Sequence, residues 1–367
     1  MFKIKNIETY IIQVPLLVPL KMSGVHIEHC DNTVVKITAN NGKVGWGEAP
    51  YAPFFNGETS RGMVAAIDFM RDRLLGKEIL QQSDIKDVIS STIYGNSGAK
   101  SAIDMALYDL SGKSEDKPLY ETLGGAKRDK VPMIWLVAGG DDEFKLLAEK
   151  VDQGFVSFKV KVGTNNVHED IERSYQAQRI LDHNYTLSAD ANQGFNRSDA
   201  LIFASKTGDI GLDFFEQPVT GKDIDTMVEC NARSYAPIGV DEGIHNIDDI
   251  KIHHDRKAAN GGSLKMIKFG GVAQLFEAAN LMHSYDMHIN LAGKAANTSI
   301  GSAAIAHFTR ALPSLDWDAS LSSQYLSDDI AENPVKVIEG HIITPDDGPG
   351  LGINIDEDKL NQYSIKL

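Results

Sequence analysis

Cysteine is nearly absent: the 367 residues contain two, Cys30 and Cys230, with no CxxC spacing. That excludes a disulfide framework and a thiolate zinc site, and it suits a reducing cytoplasm. Basic clusters are missing as well. With 36 Lys and Arg against 51 Asp and Glu, the formal charge is -15, so no nucleic-acid partner is expected. No apolar run approaches the roughly 18 residues of a membrane helix, and no membrane partner is expected. The opening MFKIKNIETYIIQVPL alternates like a strand and lacks the apolar core of a secretion signal. No GxSxG elbow or Cys/His nucleophile signal occurs, which sets hydrolase chemistry aside. A cytoplasmic enzyme remains.

Residues 1–125 read as an α+β segment. Stretches 3–14 and 33–39 alternate, and NNG at 40–42 signals a hairpin turn. Helical periodicity follows over 60–75, 82–93 and 97–113, with Gly112 expected as a C-cap. From about residue 126 the pattern changes. Apolar β-type runs recur at 131–139, 155–163, 185–192, 212–218, 236–243, 262–271 and 287–293, with a last one near 315–320. Amphipathic helical stretches separate them, and the spacing of roughly 25 residues is one β-loop-α unit. WLVAGGDDEF after the first run has no GxGxxG, so an open dinucleotide-binding sheet is a poor reading. The pattern predicts an α/β chain with a (β/α) barrel over 126–332. The tail, 333–367, returns to β-type signals and is expected to pack back on the N-terminal segment.

In such a barrel the C-terminal strand ends converge on one site. Here they read SADAN, FFEQP and GVDEG, which brings Asp190, Glu216 and Asp241 together. Three carboxylates in one small volume repel each other unless a cation joins them. An all-oxygen set points to Mg2+, with Mn2+ as a substitute. SFKVKVG puts Lys159 and Lys161 on one face of the second strand, because side chains alternate. SLKMIK puts Lys265 in the sixth run, across the barrel mouth from the second.

This constellation suits removal of a proton α to a carboxylate, as an enediolate forms beside the metal. An ordinary lysine at pKa ~10.4 is too protonated to act as base. Burial and a second cation lower it, so Lys159 is expected to depress Lys161. With Lys265 opposite, one lysine removes the proton and the other returns it: a racemase or epimerase. A β-leaving group would give a dehydratase or a cycloisomerase instead. Asn192 is a candidate partner for the ammonium or the substrate. His253 and His254 read as surface helix residues without ligand spacing. Two rivals are a Schiff-base lyase, which needs no metal, and a binding protein that kept only the fold.

The motifs KVK (159–161), DAN (190–192), EQP (216–218), DE (241–242) and LKMIKFGG (264–271) occur in an order that resembles the enolase superfamily, in its mandelate racemase/muconate-lactonizing subgroup. AIDMALYDLSGK and PGLGI extend the resemblance over nearly the whole chain. It implies a modified (β/α)7β TIM barrel and an N-terminal α+β capping domain (1–125) completed by 333–367. It also implies Asp190, Glu216 and Asp241 as metal ligands, and Lys161 and Lys265 as acid and base. SFKVKVGTN and FFEQPV look most like members acting on N-acylamino acids and dipeptides. The substrate is expected to be a small carboxylate and the protein a homo-oligomer.

After the seventh strand the family commonly carries an acid, whereas this chain has AGKAANTSIG, which makes Lys294 and Asn297 substrate-side candidates. LDWDASLSSQYL lacks the usual eighth-strand wording, and Asp318 is the candidate there. Capping-domain loops set specificity in the family, which adds His26, His29, Tyr51, Phe54 and Phe55.

Overall fold

The computed structural model describes residues 2–22, 25–79, 82–294, 296–345 and 348–365, with side chains for all of these except 19–22, 25–27 and 82–84. The chain opens with an antiparallel sheet of Ile4–Ile12, Asn32–Ala39 and Val44–Pro50, the second of these in the middle. The predicted NNG turn joins the last two. Gly45 and Gly47 alternate onto the face covered by helix Ser97–Glu115. A Cβ there would stand 2.1 Å from the Ala106 carbonyl and 1.9 Å from that of Ala102. The missing side chains let the helix backbone rest on the strand.

Eight parallel strands follow in sequential order: Ile134–Val137, Ser157–Lys161, Thr186–Asp190, Phe214–Glu216, Ile238–Val240, Gly261–Leu264, His288–Ala292 and Ala319–Ser320. A parallel bridge between Met133 and Ala319 brings the first and last together. At least one helix follows each of the first seven strands, so the architecture is (β/α)7β. Phe158 and Val160 are fully buried on the outer face of the second strand, which leaves its lysines to the interior. The barrel floor is aromatic. Trp317 stacks on Phe214 at 4.2 Å, and a Cβ on Gly261 would lie 2.7 Å from its ring.

Three expectations change. The run 262–271 is strand only to Leu264; Met266–Phe269 is a helical turn, and Gly270 at φ +88° ends it. Gly112 does not stop its helix, which runs to Glu115 and ends on Asp116 at φ +57°. The glycine is there for closeness: a Cβ would sit 2.8 Å from the Gly350 Cα and the Lys117 carbonyl. The tail has two docking places. Lys336–Ile338 and His341–Ile343 form a small sheet with Val131–Pro132, just before the first barrel strand, whereas Ser364 bridges Ile12 of the N-terminal sheet.

Buried carboxylates join the N-terminal segment to the barrel and to the C-terminal tail. Asp104 Oδ2 accepts from the Val272 amide at 2.7 Å, and Asp109 Oδ1 accepts from the Leu351 amide at 2.8 Å. Gly271, at φ +141°, leaves the space that Asp104 fills; a Cβ there would stand 2.3 Å from Oδ2. The FGG and PGLGI stretches therefore serve docking. Among the described residues no helix is long and apolar enough to cross a membrane.

Candidate active site

The barrel register sets the site. Lys161 pairs with Asp190 across the second and third strands, and Asp190 with Glu216 across the third and fourth. Asp241 follows one residue after the fifth strand. Its place is held by Gln217, whose Oε1 accepts from the Asp241 amide at 2.8 Å and the Gly243 amide at 3.0 Å. Gln217 adopts φ +39° to do so, a left-handed backbone that the surrounding contacts must stabilise. The EQP stretch thus supplies one acid and positions the next.

One cavity is lined by Lys159, Lys161, Asp190, Asn192, Glu216, Asp241, Lys265 and Lys294. The three acids are buried, and each is bonded to a lysine. Lys161 Nζ donates to Asp190 Oδ2 at 2.6 Å and to Asn192 Oδ1 at 2.7 Å. Lys159 Nζ pairs with Glu216 Oε2, and Lys265 Nζ with Asp241 Oδ2. Lys268, completely buried, donates to Asp241 Oδ1 at 2.9 Å and to the carbonyls of Asp241 and Ser263.

These pairs decide the charge states. Burial opposes the charge on Lys161, but Asp190 and Glu216 outweigh it and hold the ammonium above its ordinary range. Lys265 is raised in the same way, with Asp241 and Glu242 outweighing burial. The expectation that a neighbouring lysine depresses Lys161 is thereby corrected, because opposite charges stand closer than like ones. Burial also opposes the charge on Asp241, yet Lys265 and Lys268 keep its carboxyl far below the usual range. Glu242 goes the other way. Burial, then repulsion from Asp241 and Asp190, pushes it up to about 7. Burial, then Lys265, brings Lys294 down to about 8.

Among the described residues no three Asp, Glu, His or Cys side chains already form an ion cage. The donor chemistry nevertheless fits a hard divalent cation. Glu216 Oε1 accepts from Ser263 Oγ and Asp190 Oδ1 from the Asn192 amide, while lysines take the other carboxylate oxygens, so each oxygen has one donor and a spare lone-pair direction. Glu242 Oε2 is buried beside them without a hydrogen-bond partner among the described residues.

The substrate-side candidates divide. Asn192, Lys294 and Phe55 line the cavity. Tyr51 and Phe54 do not; they are exposed, Phe54 to 79%, because the loop turns Phe55 inward instead. His29 pairs with Asp31 at 3.5 Å, away from the cavity. The backbone at His26 belongs to strand Val25–His29, and its side chain lies outside the described residues. Asn297 is buried beside Glu48 in an adjoining small cavity. Asp318 precedes its strand and bonds to Ser157 at the start of the second, so it sits at the opposite barrel end; Ser320 and Ser322 line the site from that segment. His253 is buried, with Nδ1 2.9 Å from the Asp249 carbonyl, not a surface residue. Lys268, Glu242, Ser263 and Asn290 were not singled out in the sequence. Lys268 had a signal, the second lysine of LKMIK.

Residues 143–359 match the family described as enolase C-terminal domain-like, and residues 6–124 match the mandelate racemase/muconate lactonizing enzyme N-terminal domain. The chain belongs to that group of the enolase superfamily. It is an enzyme. It is 28% identical to the N-succinyl-L-Arg/Lys racemase of Bacillus cereus, over 99% of this chain and 98% of that protein. It is 27% identical to a chloromuconate cycloisomerase of Cupriavidus pinatubonensis, over 96% of each. A crystal structure of a muconate lactonizing enzyme from Pseudomonas fluorescens, complexed with muconolactone, superposes with a TM-score of 0.95 at 28% identity, over 99% of each chain. Enzymes of the group generally use a divalent metal.

Proposed function

We propose that this enzyme racemises or epimerises an amino-acid derivative of the N-acylamino acid or dipeptide kind, by removing and returning the proton α to its carboxylate. The observation that carries the reading is one cavity with Lys161 on the second strand and Lys265 beyond the sixth, and strand-end carboxylates between them. Asp190, Glu216 and Asp241 would hold Mg2+, which when bound draws charge from a substrate carboxylate and acidifies the neighbouring C–H.

The lysines do the proton work. While Asp190 and Asp241 hold their ammoniums, neither amine is a base. Once that partner is released and the ammonium has given a proton to solvent, the neutral Nζ of one lysine can take the α-proton. The other, across the barrel mouth, keeps an ammonium proton to deliver to the opposite face of the same carbon. Asn192 orients Lys161 through its Oδ1 and is itself held by Glu242 Oε1 at 3.1 Å. Lys159 pairs with Glu216 and holds it in place. The 27% identity to a cycloisomerase over 96% of the chain favours a second reading, in which one lysine suffices and the intermediate closes a ring instead of being reprotonated.

The test uses D2O exchange on both enantiomers of a panel of N-acylamino acids, with Mg2+ present. Lys161→Ala and Lys265→Ala should each abolish racemisation, and each should retain exchange on one enantiomer only. Normal racemisation by the Lys265→Ala enzyme would sink the two-base reading in favour of the one-base alternative.

A further inference from the structure

Lys294 differs from every other lysine of the site. Lys159, Lys161, Lys265 and Lys268 each bond to a carboxylate. Lys294 lines the same cavity, just past the seventh strand, with no hydrogen bond or ion pair from its ammonium to any described residue. Its close neighbour is the Phe55 ring, with Nζ 5.0 Å from the centroid. Its backbone is fixed: Ser322 Oγ donates to the Lys294 carbonyl at 2.7 Å and accepts from the Asn297 amide at 2.9 Å. A largely buried cation costs free energy unless an anion meets it. Burial and the nearby Lys265 charge already bring it down to about 8. Glu242, whose Oε2 has no hydrogen-bond partner among the described residues, is bonded through Oε1 to Asn192, on the third-strand side.

We propose that Lys294 receives a second anionic group of the substrate, so that the enzyme acts on dianionic acids: one carboxylate at the reacting end, another carboxylate at the Lys294 end. The reacting end in this statement rests on the proposed function; the anion subsite rests on Lys294 alone. Phe55 covers the ammonium on one side and keeps water from it, which strengthens a charge-assisted pair. Ser320, from the eighth-strand segment, lines the cavity and offers a hydroxyl donor to the same group.

Calorimetric titration of the Mg2+-loaded enzyme tests this without needing turnover. Succinate, glutarate, adipate and pimelate are compared with butyrate, valerate, hexanoate and heptanoate, the monoacids of matching length. At least one diacid should bind about tenfold more tightly than its partner. Lys294→Met should bring that ratio to about one, and Lys294→Arg should keep it. A wild-type enzyme that binds no diacid more tightly than its monoacid overturns the proposal, as does a ratio that survives Lys294→Met. D2O exchange reports on the other reading separately. A diacid preference that depends on Lys294, with no exchange on any acid, would leave the subsite standing and remove the isomerase assignment. Exchange with a flat ratio would do the reverse.

Discussion

The two sides of the barrel close the amino ends of their helices differently. After each of strands two to five, the first helix carries its own cap. Asn166 accepts from the His168 amide, Asn196 from Asp199, Asp223 from Thr226, and Asn246 from Asp248 and Asp249. After strands six and seven the caps come from far away. Helix Val272–Ser284 begins on Gly271, which has no side chain to offer, and Asp104 accepts from Val272 and Ala273 instead. At helix Ser299–Ala311, Thr298 reaches Ile300 at 3.3 Å, while buried Glu48 accepts from the amides of Thr298 and Gly301 and from Asn32. The side bearing Lys161, Asp190, Glu216 and Asp241 is ordered by neighbours in sequence. The side bearing Lys265 and Lys294 depends on the N-terminal segment. Fold assembly and site assembly are therefore coupled on one side only.

The sharpest way to break this contrast is Glu48→Ala. It leaves the Thr298 and Gly301 amides buried without their acceptor and takes one of the two partners of Asn32 Nδ2, so urea unfolding should show a loss of about 3–4 kcal/mol. A loss below about 1 kcal/mol would mean that the remote cap is dispensable. Asp104 gives a second, pH-dependent handle. Burial, only partly opposed by its amide donors, raises its carboxyl to about 7. Between its unfolded value of ~4 and that value the native chain holds a proton that the unfolded chain has released, so stability falls as pH rises through the window, by up to about 1.4 kcal/mol per pH unit. Asp104→Asn should lack this slope in denaturation curves taken across the window; an unchanged slope would show that other groups set it. The smallest effect belongs to a local cap. Asn246→Ala should cost about 1 kcal/mol and leave proton exchange at the wild-type rate. If it matched Glu48→Ala in stability, the two sides would not differ.

The same division governs what could be read from the sequence. Strand-end acids were legible because a strand has period two and the unit repeats, so Asp190, Glu216 and Asp241 stand at equivalent places. Lys159 and Lys161 followed from alternation alone. Lys268 was hidden because Met266–Phe269 coils into a helical turn, and strand alternation no longer applies there. Glu242 lies beyond its strand for the same reason. Loops carry no period, so Phe54 and Phe55 were indistinguishable until the turn at 53–56 was seen. The remote caps join residues 250 and 168 positions apart, which no local pattern encodes.

Phe55 has a wider reach than a pocket wall. Its ring lies 5.0 Å from Lys265 Nζ, 5.0 Å from Lys294 Nζ and 5.9 Å from Lys268 Nζ, and 5.6 Å from the His245 ring. One aromatic on a surface loop thus governs how wet three amines are. Exchanging that loop would retune their basicity along with the outline of the ligand, so selectivity and rate would change together in any descendant that altered it.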